Sequence, residues 1–147
     1  MKSHHIERSV LLPFALEDIF NLVADIENYP EFLPWCRTAR VLERESNDVV
    51  AKLKVVTAGR HSEIVTRNEL DPFTRIGLHL IRGPFASFDG EWKFVDLQMG
   101  CKATLNLCFE FEGALLRIVG PRALDIAIDR VMSAFTKRAR QMCTPCE

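Results

Sequence analysis

From Cys101 to Glu112 apolar and polar residues alternate, and beyond Gly113 the apolar period lengthens to that of an α-helix. Cys101, Ala103, Leu105, Leu107, Phe109 and Phe111 share one parity; Lys102, Thr104, Asn106, Glu110 and Glu112 share the other, with only Cys108 out of character. Successive strand side chains point to opposite faces, so this segment reads as a strand with one dry and one wet face. Leu124, Ile128, Val131, Met132, Phe135, Ala139 and Met142 then fall on one helical stripe, with Arg122, Asp125, Asp129, Lys137, Arg138 and Arg140 on the other side. Gly120-Pro121 predicts a kink or a fresh helix start. A sheet that is greasy on one face must be covered, and this last helix is the segment long enough to cover it.

The rest of the chain supplies the sheet. Ser3 to Leu12 reads as a first strand ended by Pro13. Leu16, Ile19, Phe20 and Val23 then mark a short amphipathic helix over 16–24, with Glu17 and Asp18 in its first turn. Asn28-Tyr29-Pro30 breaks it, and 30–33 predicts one further turn of helix. Strands follow at Arg37–Glu45, Val49–Thr57, His61–Asp71, Arg75–Arg82, Ser87–Leu97 and Cys101–Phe111, separated by short turn-forming gaps such as Ser46-Asn47-Asp48 and Gly83-Pro84. Short gaps make hairpins, so the sheet is an antiparallel meander.

At 147 residues the chain has the length of one domain, read as 1–147 with a core over 3–142 and a tail over 143–147. A net charge of −1 gives no whole-molecule attraction to nucleic acid or acidic lipid, so such contacts require a local patch. No apolar run reaches the roughly 20 residues of a membrane-spanning helix. The N-terminus lacks a secretory pattern, and five unevenly spaced cysteines fit reduced thiols; the expected location is cytoplasmic. Cys143-Thr144-Pro145-Cys146 follows a helix rather than opening one, and reads as a frayed tail rather than a redox or zinc motif.

Four segments carry a resemblance: Asp25-Ile26-Glu27-Asn28-Tyr29-Pro30-Glu31-Phe32-Leu33-Pro34-Trp35-Cys36, Gly83-Pro84-Phe85, Gly90-Glu91-Trp92-Lys93-Phe94, and Ala134-Phe135-Thr136-Lys137-Arg138-Ala139. Together they resemble the coenzyme Q-binding group of START-like, polyketide cyclase-like domains, which in bacteria includes the ribosome-association toxin RatA. The resemblance runs from about Ile6 to Met142. It implies an α+β helix-grip fold: a curved antiparallel sheet of about seven strands around a long C-terminal helix, with one or two short helices after the first strand. It implies an elongated apolar cavity whose ligand is ubiquinone or a similar isoprenoid lipid, with no covalent cofactor. The leading expectation is a carrier or chaperone supporting respiratory electron transport, in peripheral contact with the inner face of the membrane. The alternative is a toxin that binds the large ribosomal subunit and inhibits subunit association.

The residues themselves allow a cavity. Tyr29, Phe32, Pro34 and Trp35 on one stiff loop, with Phe85 and Phe88 on a second, are expected at its mouth, Phe85 at a hairpin tip. Leu53, Leu105, Leu107 and Phe109 from the sheet, Trp92 pointing inward, and Val131, Met132 and Phe135 from the helix would form its walls. Leu105, Phe109 and Phe135 would serve equally well in a dry core, and Trp92 either lines or packs. No nucleophile elbow, phosphate loop or metal spacing is present, and a binding protein is expected rather than an enzyme. Lys137, Arg138 and Arg140 read more simply as complements of the helix dipole than as an RNA contact.

Overall fold

The computed structural model describes residues 4–57, 59–113 and 121–146. Seven strands form one antiparallel sheet: β1 (His4–Leu12), β2 (Cys36–Glu45), β3 (Asp48–Thr57), β4 (Arg60–Asp71), β5 (Arg75–Arg82), β6 (Phe85–Leu97) and β7 (Gly100–Phe111). Their order across the sheet is β1-β7-β6-β5-β4-β3-β2. β2 to β7 are thus a meander, and β1 closes the far side by pairing with β7, His4 opposite Phe109 and Leu12 opposite Cys101. Irregular pairing in β2, between Val65 and Thr66, and between Phe85 and Ser87 marks bulges, which bend strands and strengthen twist. A short helix, α1 (Leu16–Ala24), follows β1, and the sheet curves around α2 (Pro121–Met142). The expected kink at Gly120-Pro121 cannot be followed as a whole, because residue 120 lies outside the described residues.

The alternation in β7 translates directly into burial. Cys101, Ala103, Leu105, Leu107, Phe109 and Phe111 are buried, and Cys108 lies exposed on the wet face. From α2, Ile128, Met132, Phe135 and Ala139 enter the core. Met142 does not; it is 63% exposed, while Cys143 beside it turns toward the core instead. Gly100, at the β6–β7 turn, has φ +152°, and a Cβ there would lie 2.1 Å from the Leu12 carbonyl oxygen. Only glycine lets β1 approach that turn.

Two expectations need correction. The extra helical turn is a 3-10 helix over Ile26–Glu31, so it runs through Asn28-Tyr29-Pro30 instead of starting at Pro30. Pro30 lacks an N–H, but so short a segment closes on few bonds, here Asn28 N–H to Asp25 O and Phe32 N–H to Tyr29 O. The tail is not frayed. Cys146 N–H donates to the Pro13 carbonyl at 2.7 Å, and Pro145 forms a bridge with Phe14.

Two polar clamps hold α2 in place. Arg8 of β1 reaches Asp129 at 2.7 Å and Asp125 at 3.4 Å. Arg138 donates to Glu31 at 2.6 Å.

Candidate functional site

The sheet and α2 do not close completely on each other. They leave a cavity of about 440 Å³, within the range of small-molecule sites. At about 30 Å³ per water in the liquid, it has room for on the order of 15 waters. The sheet wall comes from the inward parity of each strand: Leu53 and Val55 on β3, Thr66 and Asn68 on β4, Leu78 on β5, Leu105 and Leu107 on β7. Gly90 on β6 helps shape it, since a Cβ there would lie 2.5 Å from Leu107 Cδ2 and 3.4 Å from Leu78 Cδ1. Along α2, Ala123, Ile126 and Arg130 both line the cavity and are exposed. The cavity therefore opens beside the N-terminal half of that helix.

Of the residues singled out in the sequence, Tyr29, Trp35, Leu53, Phe85, Trp92, Leu105, Leu107, Val131 and Phe135 are on this lining. Phe32, Pro34, Phe109 and Met132 are not. Phe32 lies beneath Arg138 and packs edge-on against Phe135, ring centres 5.1 Å apart. Pro34 is an exposed turn residue. Phe109 points inward as its parity requires, but His4, Phe85 and Phe111 fill that end of the sheet around it, at centroid distances of 5.4, 6.2 and 5.3 Å. Met132 is buried in the core beside the cavity rather than facing it. Phe85 is not at a hairpin tip: it opens β6, opposite Phe111, and its ring stacks on that residue at 5.6 Å.

Tyr29 has a local reason for its place. Its hydroxyl donates to the carbonyl of Val23, in the last turn of α1 (Leu16–Ala24), where helix carbonyls lack partners. Burial holds that hydroxyl well above the usual phenol range, so it remains a donor. Its ring packs on Phe135 at 5.5 Å, and Phe135 in turn meets Trp92 at 5.4 Å.

The lining is apolar with few exceptions. Among the described residues, Tyr29 and Arg130 are its only titratable members, and Asn68 is the only buried polar or charged side chain. Thr66 Oγ1 donates to Asn68 Oδ1 at 3.0 Å. Parity could have exposed this pair in the sequence, because Ile64, Thr66, Asn68 and Leu70 alternate with Glu63, Val65, Arg67 and Glu69.

The opposite face of the sheet carries a second feature. Leu53 and Val55 face the cavity, so Lys52 and Lys54 point outward. Arg40 of β2 stands directly opposite Lys52. Like charges placed so are unfavourable. None of the three has an ion-pair partner among the described residues, and Glu63, which faces Lys54, is engaged by Arg82 at 3.4 Å. Arg37 and Arg60, both exposed, flank the same end of the sheet. The cations of α2 are less available: Arg138 is committed to Glu31 and Phe32.

Comparison with known proteins places the chain in a family. Residues 12–135 match the family model described as polyketide cyclase / dehydrase and lipid transport. The chain is 38% identical over 95% of its length to the ribosome association toxin RatA of Pseudomonas aeruginosa, covering 98% of that protein. It is 27% identical over 89% of its length to the mitochondrial coenzyme Q-binding protein COQ10 homolog B of Xenopus laevis, covering 56% of that protein. The Zhui aromatase/cyclase of Streptomyces sp. R1128 superposes with a TM-score of 0.87 over 95% of each chain at 18% identity, a likeness of fold alone. The relationship favours the ribosome-association expectation over the quinone carrier. This chain belongs to the polyketide cyclase / dehydrase and lipid transport family of START-like domains, and within it to the group of the RatA proteins.

Proposed function

We propose that this protein associates with the large ribosomal subunit and limits the joining of subunits. The observation that carries the reading is near full-length similarity to a protein named a ribosome association toxin. The outer cations Arg40, Lys52 and Lys54 support it, since none is ion-paired among the described residues and together they offer positive charge to a phosphate backbone despite the chain's net charge of −1. The role is one of binding rather than catalysis. Overproduction followed by sucrose-gradient profiles of the ribosomes is the test. Free subunits should accumulate at the expense of joined ribosomes; an unchanged profile refutes the reading.

A second reading rests on the cavity. We infer that the space of about 440 Å³ under α2 holds an apolar small molecule, with ubiquinone or another isoprenoid lipid as the class favoured by the more distant relative. Each CH₂ buried there would contribute about 0.8 kcal/mol. Lipid extraction and mass spectrometry of the purified protein, before and after ubiquinone is offered, should recover a bound molecule. Finding none in either sample counts against it.

A further inference from the structure

Asn68 is 3% exposed, and its side chain faces the cavity rather than the packed core. Thr66, two residues earlier on the same face of β4, directs its hydroxyl to Asn68 Oδ1. Asn68 Nδ2 makes no side-chain bond among the described residues, and since no shielded side-chain N or O among them lacks a partner, Nδ2 meets the open space of the cavity. An amide donor set in an apolar wall and facing that space is positioned to bond an acceptor on whatever occupies it. Around it the wall is hydrocarbon: Leu53, Leu70, Ile76 and Leu78.

We propose that the Asn68–Thr66 pair is the polar anchor of the cavity, and that its ligand is an apolar molecule bearing a carbonyl-type acceptor, inserted with that oxygen toward β4. The inference rests on the second reading above, that the cavity holds a small molecule. Thr66 is a positioning residue: by donating to Oδ1 it turns Nδ2 toward the ligand. With the amide rotated, Oδ1 would face the cavity and call for a ligand hydroxyl instead.

The test compares three probes of similar shape: butyrophenone, the carbonyl-free butylbenzene, and phenylbutanol. Binding is followed by fluorescence of Trp35 and Trp92, the two tryptophans of the chain, both on the lining. Replacing the amide by a side chain of similar size, Asn68→Leu, should weaken butyrophenone about tenfold, as expected for one hydrogen bond in a dry site, and leave butylbenzene unchanged or tighter. Thr66→Val, which keeps the amide, should weaken butyrophenone by a smaller factor, about threefold, and serves if Asn68→Leu folds poorly. Equal effects on butyrophenone and butylbenzene, or none, overturn the anchor while leaving the cavity reading intact. A loss confined to phenylbutanol overturns the carbonyl assignment. Failure of wild-type protein to bind any probe overturns both.

Discussion

The guanidinium carbon of Arg138 lies 5.2 Å from the centre of the Phe32 ring, and its Nη2 donates to Glu31 beside it. One side chain thus fastens the last third of α2 to the 3-10 segment that carries Tyr29. Arg138→Ala should cost about 1 kcal/mol in urea denaturation, combining a cation–π contact with a partly exposed ion pair. Arg138→Lys should fall between the two, keeping the charge and losing the planar stacking. Equal stability of all three proteins would show the contact to be idle.

The docked tail makes a second prediction. Pro145 and Cys146 cover the chain at Pro13 and Phe14, and Phe14 is only 2% exposed. Ending the chain after Met142 should lower stability by roughly 1–2 kcal/mol, part of the value of burying one phenylalanine. A melting temperature unchanged by the truncation would restore the frayed-tail expectation.

Whether the cavity is real space can be read from the sign of a stability change. Leu53→Phe adds volume at a half-buried lining position. Into a void it should stabilise, by about 0.5–1 kcal/mol, and should displace any bound probe. Into a closed core it would cost roughly 1–3 kcal/mol.

His79 contributes a pH dependence. Its ring bonds Asp89 at 3.0 Å and also meets Glu69, which together raise its pKa above the usual value despite partial burial. A raised folded pKa stabilises fully below the unfolded value of about 6.5 and loses that contribution as pH rises through the folded value. The cluster is largely exposed, so the effect should be a few tenths of a kcal/mol. The urea midpoint of the wild type should therefore fall slightly between roughly pH 5.5 and pH 8 relative to His79→Gln. Parallel profiles would rule this contribution out.

Much of this architecture was legible because periodicity reports which face of an element is dry. The alternation through Cys101–Phe111 matched burial residue by residue, and the stripe from Leu124 to Ala139 holds Ile128, Met132, Phe135 and Ala139 buried with Leu124 and Val131 half-buried. Parity does not report what stands opposite that face. Phe109 and Leu107 share a parity, yet one is sealed among His4, Phe85 and Phe111 and the other borders empty space. Met132 and Val131 differ likewise, by the roughly 100° that separates neighbours around a helix axis. The basic face stayed hidden for another reason: Arg40 and Lys52 belong to different strands, and only the pairing register sets them side by side. The tail's docking depends on Phe14, more than a hundred residues away in sequence, which no local pattern could supply.

The central claim is tested most directly by sedimenting purified protein with purified large ribosomal subunits over a series of salt concentrations. The wild type should travel with the subunit and weaken steadily as salt rises. A variant combining Arg40→Glu, Lys52→Glu and Lys54→Glu should lose most of that binding, with a salt slope smaller by about three, one for each phosphate contact removed. Absence of wild-type binding, or a variant that binds as tightly with the same slope, would contradict the account.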